Sequence, residues 1–286
     1  MRAFGLLALA LATAPGFPRD FSFAVVADIQ YADKDTAGRR DYRRSAAKLE
    51  ACAAALASEH PAFTMQLGDI IDGGLENLGR ILPLFNRLPA PRYHTLGNHD
   101  LTLDRAVLFA RLGLRSGRYD FTLNGWRFIV LDGMEMSVRD EAGRREFARL
   151  KAAGAPNAQE WNGALGPDQR EWLRRTLRDA KKKHQRAILF CHFPVFAEAS
   201  SPEHLLWDWR ETLEILDSEP AVAAWIAGHD HRGGYAERRG VHYVTLRGMV
   251  ETEAAQACQV MDVAPAGLRL RAAGEASGRT LALTPR

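Results

Sequence analysis

Ala62-Phe63-Thr64-Met65-Gln66-Leu67-Gly68-Asp69-Ile70-Ile71-Asp72-Gly73 runs from an apolar strand straight into a glycine and a carboxylate. The run 62–67 has the length and composition of a buried strand, and it delivers Asp69 at its carboxyl end. The same arrangement recurs along the chain. Residues 21–27 end at Asp28-Ile29-Gln30, and residues 93–96 precede Gly97-Asn98-His99-Asp100. Residues 186–191 end at His192, and residues 222–227 end at Gly228-His229-Asp230-His231. A sixth stretch, Gly248-Met249-Val250-Glu251-Thr252, closes the pattern without an obvious ligand. One polar residue after a strand is common, whereas a fixed series of them is not. Together they supply two carboxylates (Asp28, Asp69), two amides (Gln30, Asn98) and three imidazoles (His192, His229, His231). That is the donor inventory of a two-metal hydrolytic centre.

The alternation around these stretches sets the fold class. Helical periodicity over 41–58, 77–88 and 101–112 separates the first strands. Strands at 118–123 and 126–131 are joined by Asn124-Gly125, a hairpin signal. Residues 139–163 read as a polar, irregular surface excursion. Helices follow at 166–183 and 206–216, and residues 235, 241–246, 257–263 and 268–272 suggest closing antiparallel strands. Strand and helix alternate first and hairpins enter later, which predicts a layered α/β/β/α sandwich with mixed sheets. The candidate ligands all follow strands, where open α/β sheets bind their ligands.

With 286 residues, 47% hydrophobic and 26% charged, the chain suits one large domain, 21–286. Its net charge of +3 comes from interspersed acids and bases, which argues against a nucleic-acid partner. Cys52, Cys191 and Cys258 are too sparse for a disulfide framework, and Cys191 reads as a buried small residue. Residues 1–20 read as a signal peptide or an N-terminal extension: Arg2, an apolar run over 3–12, Ala10-Leu11-Ala12, then Pro15-Gly16. The run is too short for a membrane span; as a signal peptide it predicts export to the periplasm or beyond, and as a plain extension a cytoplasmic location.

Two cations a few ångströms apart need a shared anion, and Asp69 is the candidate bridge. Asp28, Gln30 and His231 could complete one site, and Asn98, His192 and His229 the other. Such a pair polarises a phosphate and lowers the pKa of a bridging water. His99 would be free to give a proton to the leaving group. Asp72 either bonds a histidine or makes a turn. Asp230 faces outward or orients a neighbour, His94 and His242 are structural, and His60, His184 and His204 lie on the surface. Glu251 has no physical role at this level.

The order D-x-[HQ], GD, GNH[DE], H and GHxH resembles the calcineurin-like metallophosphoesterase superfamily over residues 21–250. The longer blocks 28–33, 66–73, 205–207, 227–235 and 240–252 are similar to the manganese-dependent ADP-ribose/CDP-alcohol diphosphatases. The resemblance implies two divalent ions, manganese with iron or zinc as alternatives, held by Asp28, Gln30, Asp69, Asn98, His192, His229 and His231. It also implies His99 as the catalytic histidine, and cleavage of the phosphoanhydride in substrates such as ADP-ribose or CDP-choline. Most members of the superfamily have His where this chain has Gln30. Arg40, Arg43 and Trp161 match segments on the family's nucleotide side, and the chain is short between Asn98 and Arg118. A phosphodiesterase or phosphomonoesterase on the same centre, such as a cyclic-nucleotide hydrolase, is the alternative.

Overall fold

The computed structural model describes residues 20–254 and 257–284. The expectation of a signal peptide falls almost wholly outside these residues. Among them, two six-stranded mixed sheets pack face to face and six α-helices cover them. The first sheet has at its centre three parallel strands, β1 (Phe21–Val26), β2 (Thr64–Leu67) and β3 (Arg92–Thr95). Beside β1 it continues antiparallel through β10 (Gln259–Ala264), β11 (Gly267–Ala272) and β12 (Arg279–Ala282). The second sheet is built on parallel β5 (Trp126–Val130), β6 (Arg186–Phe190), β7 (Val222–Ala227) and β9 (Val241–Thr245). Antiparallel β4 (Tyr119–Leu123) and β8 (Gly234–Arg238) form its edges.

Alternation along each strand explains the layers. Phe23 and Val25 of β1 face between the sheets with Phe128, Ile188 and Phe190, whereas Ala24 and Val26 pack toward the helices. Rings of Phe23, Phe63, Phe128 and Phe190 meet edge-on or stacked at 4.7 to 6.2 Å, the geometry that aromatic quadrupoles favour. Helices α1 (Arg44–Leu56) and α2 (Leu75–Phe85) pack together, as do α5 (Gly166–Lys182) and α6 (Trp209–Ser218) on the other side. Helix α3 (Arg105–Leu112) starts later than the periodicity suggests, because Asp104 caps it by accepting from the Ala106 N–H at 2.7 Å.

Three expectations are corrected. Residues 139–163 are not irregular throughout: helix α4 (Glu141–Ala152) lies there. Only Gly143 and Leu150 of it are buried and charged side chains dominate it, while Asp140 accepts from the Gly143 N–H at 2.7 Å and starts it. Strand β9 is not simply antiparallel, since it pairs β7 in parallel as well as β8. Cys52 and Cys258 form a disulfide across a separation of 206 residues. Packing of α1 against the start of β10 brings them together, which spacing could not reveal.

Glu59, just after α1, takes Arg271 of β11 in a bidentate pair at 2.8 Å and accepts from Gly274. The Arg271 guanidinium holds its carboxyl at about 2, below the ordinary value of 4.5. A depressed carboxylate pKa stabilises above its unfolded value and loses that contribution as pH falls toward the folded one. Glu59→Gln is therefore expected to cost about 1 kcal/mol at neutral pH. Denaturant titrations should show that gap closing as pH falls from 4.5 to 2.

Candidate metal centre

The carboxyl ends of β1, β2 and β3 in one sheet meet those of β6, β7 and β9 in the other. The loops leaving these ends are stitched across the two sheets. Met249 and Val250 donate to the carbonyls of Ala27 and Asp28 at 2.9 and 3.0 Å. The His229 N–H donates to the Asp28 carboxylate at 3.1 Å. Asp100, fully buried, accepts from the N–H groups of Asp69, Ile70 and Gly97 at 2.8 to 2.9 Å. Burial and the nearby Asp69 charge push its carboxyl up to about 7.

These loops bring all seven sequence-predicted ligands to one place. Asp69 Oδ2 stands 3.2 Å from the Gln30 amide and 3.3 Å from His192 Nε2. Asn98 Oδ1 lies 3.2 Å from His192 Nε2, which in turn is 3.1 Å from His229 Nδ1. On the other flank, His231 Nε2 is 3.1 Å from the Gln30 amide and 3.4 Å from Asp28 Oδ1. Asp69 thus sits between the two groups, and its other oxygen accepts from the His99 N–H at 2.8 Å. Ligand atoms of Asp69, His192 and His229 all lie within 4.8 Å of one another.

Each imidazole has its outward nitrogen fixed by an acceptor. His192 Nδ1 donates to the Leu67 carbonyl at 2.8 Å, and His231 Nδ1 to Glu251 Oε1 at 2.9 Å. His229 Nε2 donates to Asn162 Oδ1 at 2.9 Å, an assignment set by the Asn162 amide nitrogen, which donates to the Asn157 and Glu203 carbonyls. The inward nitrogens therefore present lone pairs, the arrangement that orients histidine for a metal. Buried Gln30 Oε1 has no partner, and a half-turn of the amide would present it to the centre. Lone pairs, carboxylates and an orphaned carbonyl converging on one point fit divalent cations.

Protons compete for the same place. Burial disfavours charge on His192 and His231, but Asp69 and Asp28 outweigh it and lift both to about 9. His229, buried beside other imidazoles, is pushed well below the ordinary value. Asp69 is held well below the carboxylate range, its burial outweighed by His192 and His99.

The backbone is bent to make this possible. Asp28, Gln30, Asp69 and His229 hold φ of 51°, 42°, 56° and 69°, the left-handed region that side chains rarely adopt. Such conformations cost about 1–3 kcal/mol each and cluster at functional sites. Gly97 clears the space: a Cβ there would lie 2.0 Å from Asp69 Oδ1.

Residues whose roles were open now have partners. Asp72 Oδ1 holds His99 Nδ1 at 2.7 Å, and Lys34 binds its other oxygen. Glu251 orients His231. Asp230 is buried and accepts from the Ser201 N–H at 2.9 Å, so it ties down a neighbouring loop. His94 and His242 are buried in strands, while His60 and His184 are exposed. A cavity of about 350 Å³ opens on the centre, lined by Gln30, Asp69, His99, His229, His231 and also Arg40, Trp161 and His204. His204 is thus not a plain surface residue. Arg43 does not line this cavity, because Asp33 and Asp35 take its guanidinium at 2.8 and 2.7 Å. Sequence reasoning missed Asn162 altogether. The only signal was its place between Trp161 and Gly163 in a polar stretch.

Residues 21–233 match the family model described as calcineurin-like phosphoesterase. The chain belongs to that family. Among curated relatives of this calcineurin-like phosphoesterase is the manganese-dependent ADP-ribose/CDP-alcohol diphosphatase of Xenopus tropicalis, 29% identical over 81% of this chain and 85% of that protein. The protein of the same name from Oryza sativa subsp. japonica is 32% identical over 81% and 84%. A dimetal phosphatase from Danio rerio, of known crystal structure, superposes with a TM-score of 0.83 at 28% identity, covering 92% of this chain and 99% of that one. A purple acid phosphatase from yellow lupin, at 13% identity and a TM-score of 0.62, shares the fold. The layered sandwich is that of the family, and the chain is a metal-dependent phosphohydrolase.

Removing an outward acceptor should loosen a ligand without touching it. Glu251→Ala and Asn162→Ala are each expected to weaken divalent-metal binding by about 10–100-fold. Calorimetric metal titration of the folded variants measures this.

Proposed function

We propose that this chain hydrolyses the phosphoanhydride of nucleoside diphosphate–X compounds, such as ADP-ribose and CDP-alcohols, with two divalent cations. The observation that carries the reading is the cavity of about 350 Å³ opening directly on the clustered carboxylates and imidazoles. Trp161, 46% exposed, and Arg40 stand on its wall, an aromatic surface and a cation suited to a nucleotide. The names of the relatives support the substrate class and manganese as the preferred ion, with iron or zinc as alternatives.

In this reading Asp28, Gln30 and His231 hold one cation, Asn98, His192 and His229 the other, and Asp69 serves both. Bound there, the cations would supply Lewis acidity to the phosphoryl oxygens and make water acidic enough to attack. Where most of the superfamily has imidazole, Gln30 offers a neutral carbonyl oxygen, a weaker and harder donor that suits manganese.

His99 gives its proton to the leaving oxygen. Its Nδ1 donates to Asp72, leaving Nε2 for the substrate. Burial opposes its charge, but Asp69 and Asp72 outweigh burial and raise its pKa above the ordinary value, which favours the protonated ring. Arg40 and Trp161 bind the nucleotide side. Arg43 acts through Asp33 and Asp35, shaping the loop beside the cavity. Export to an oxidising compartment is supported by the apolar run 3–12 and by the Cys52–Cys258 disulfide.

A panel of ADP-ribose, CDP-choline, bis(p-nitrophenyl) phosphate and cyclic AMP, assayed with each metal, tests the reading. Cleavage of the two diphosphates with manganese, lost on chelation, is expected. Preference for cyclic AMP would contradict it. His99→Ala is expected to lower turnover of ADP-ribose by about 10²–10⁴ with metal content intact. The loss should be smaller on bis(p-nitrophenyl) phosphate, whose leaving group needs no proton, and an equal loss on both rejects the acid role.

A further inference from the structure

One cavity-lining residue is absorbed neither by the clustered ligands nor by the proton donor. His204 ends a short 3-10 turn, Pro202–His204, and its half-buried ring stands edge-on to His229, centroids 5.2 Å apart. Its Nδ1 is buried and has no hydrogen-bond partner; the nearest charge is Glu203 Oε1 at 3.9 Å. Two of the other cavity-lining donors already have a protein partner. Arg40 faces Glu251 at 3.5 Å, and His99 is held by Asp72. Among the described residues His204 Nε2 has no hydrogen-bond partner either, and it is the ring nitrogen that is not buried, so it is the one a ligand in the cavity can meet.

The loop carrying His204 is fastened to the scaffolding of the centre itself. Asp230, between His229 and His231, accepts from Ser200 Oγ at 3.1 Å and from the Ser201 N–H at 2.9 Å. Asn162, which orients His229, also donates to the Glu203 carbonyl at 2.7 Å. The spacing between His204 and the centre is therefore set by the residues that set the centre, which is how a binding group is preorganised.

We propose that His204 binds the second phosphoryl group of a diphosphate substrate, the one that is not attacked. The proposal rests on the diphosphatase reading above. A diphosphate carries charge on two phosphorus centres. The clustered carboxylates and imidazoles can serve one through cations, and the other must meet a donor on the cavity wall. A neutral imidazole carries one N–H and can donate it to a phosphoryl oxygen without changing its protonation. His204 thereby favours diphosphates over substrates with a single phosphoryl group.

The test compares binding of non-hydrolysable α,β-methylene-ADP and of AMP to the manganese-loaded full chain, by calorimetry, with bound manganese measured alongside. The wild type should bind the diphosphate more tightly. His204→Leu fills the same space against His229 but cannot donate. It should weaken the diphosphate about tenfold and leave AMP within about twofold, with manganese content unchanged. His204→Gln keeps an N–H and should retain most of the preference. Equal weakening of both ligands, loss of manganese in the Leu variant, or indistinguishable Leu and Gln variants would overturn the proposal. Failure of the wild type to cleave ADP-ribose would instead defeat the diphosphatase reading, while this binding comparison still decides the role of His204.

Discussion

The lone pairs of His192 Nε2 and His229 Nδ1 face each other across 3.1 Å, with the Asp69 carboxylate beside them. Nitrogen lone pairs and carboxylate oxygens at such distances repel unless positive charge lies among them. A proton or a cation has to supply it. The rise of His192 and His231 to about 9 is the proton's answer to the same field, so metal binding must release protons and weaken as pH falls. The surrounding structure serves to hold this unfavourable gathering of acceptors together.

Several devices share that work. The Leu67 carbonyl, Asn162 and Glu251 each fix an outward nitrogen, so the inward lone pairs cannot turn away. Asp100 gathers three N–H groups from two loops and so fastens the β2 loop to the β3 loop. Four candidate ligands occupy left-handed backbone, which the cross-sheet bonds of Met249 and Val250 help to lock. Lys48 of α1 extends the chain of support, donating to the carbonyls of Met249 and Val250 at 2.8 and 3.1 Å, next to Glu251. A helix on the outer face thus steadies the turn that aims His231.

Much of this was legible in the sequence, for physical reasons. An apolar strand ending on Gly68-Asp69 or Gly228-His229 announces both the strand and the residue at its mouth, because hydrophobic periodicity and a polar break are local signals. Asp28, Gln30, Asp69, Asn98, His192, His229 and His231 all come together. What the sequence concealed depends on long-range packing. Asn162 and His204 belong to stretches whose composition reads as surface, and only the closure of the chain brings them to His229. Glu251 had no role until its carboxylate met His231, 20 residues earlier. Helix α4 was hidden because charged residues dominate its composition and it buries only Gly143 and Leu150. The Cys52–Cys258 bond spans 206 residues, beyond any spacing rule. Arg43 failed as a cavity residue because nearby Asp33 and Asp35 were stronger partners than an open pocket.

We propose that one carboxylate, Asp69, joins two cation sites. Manganese stoichiometry of the purified chain and of Asp69→Asn, measured by elemental analysis and metal titration, addresses it directly. Two tightly bound ions per wild-type chain are expected, with loss of the pair in the variant, since an amide cannot supply the shared negative charge. A wild type that binds a single ion, or a variant that still binds two with unchanged affinity, would contradict it.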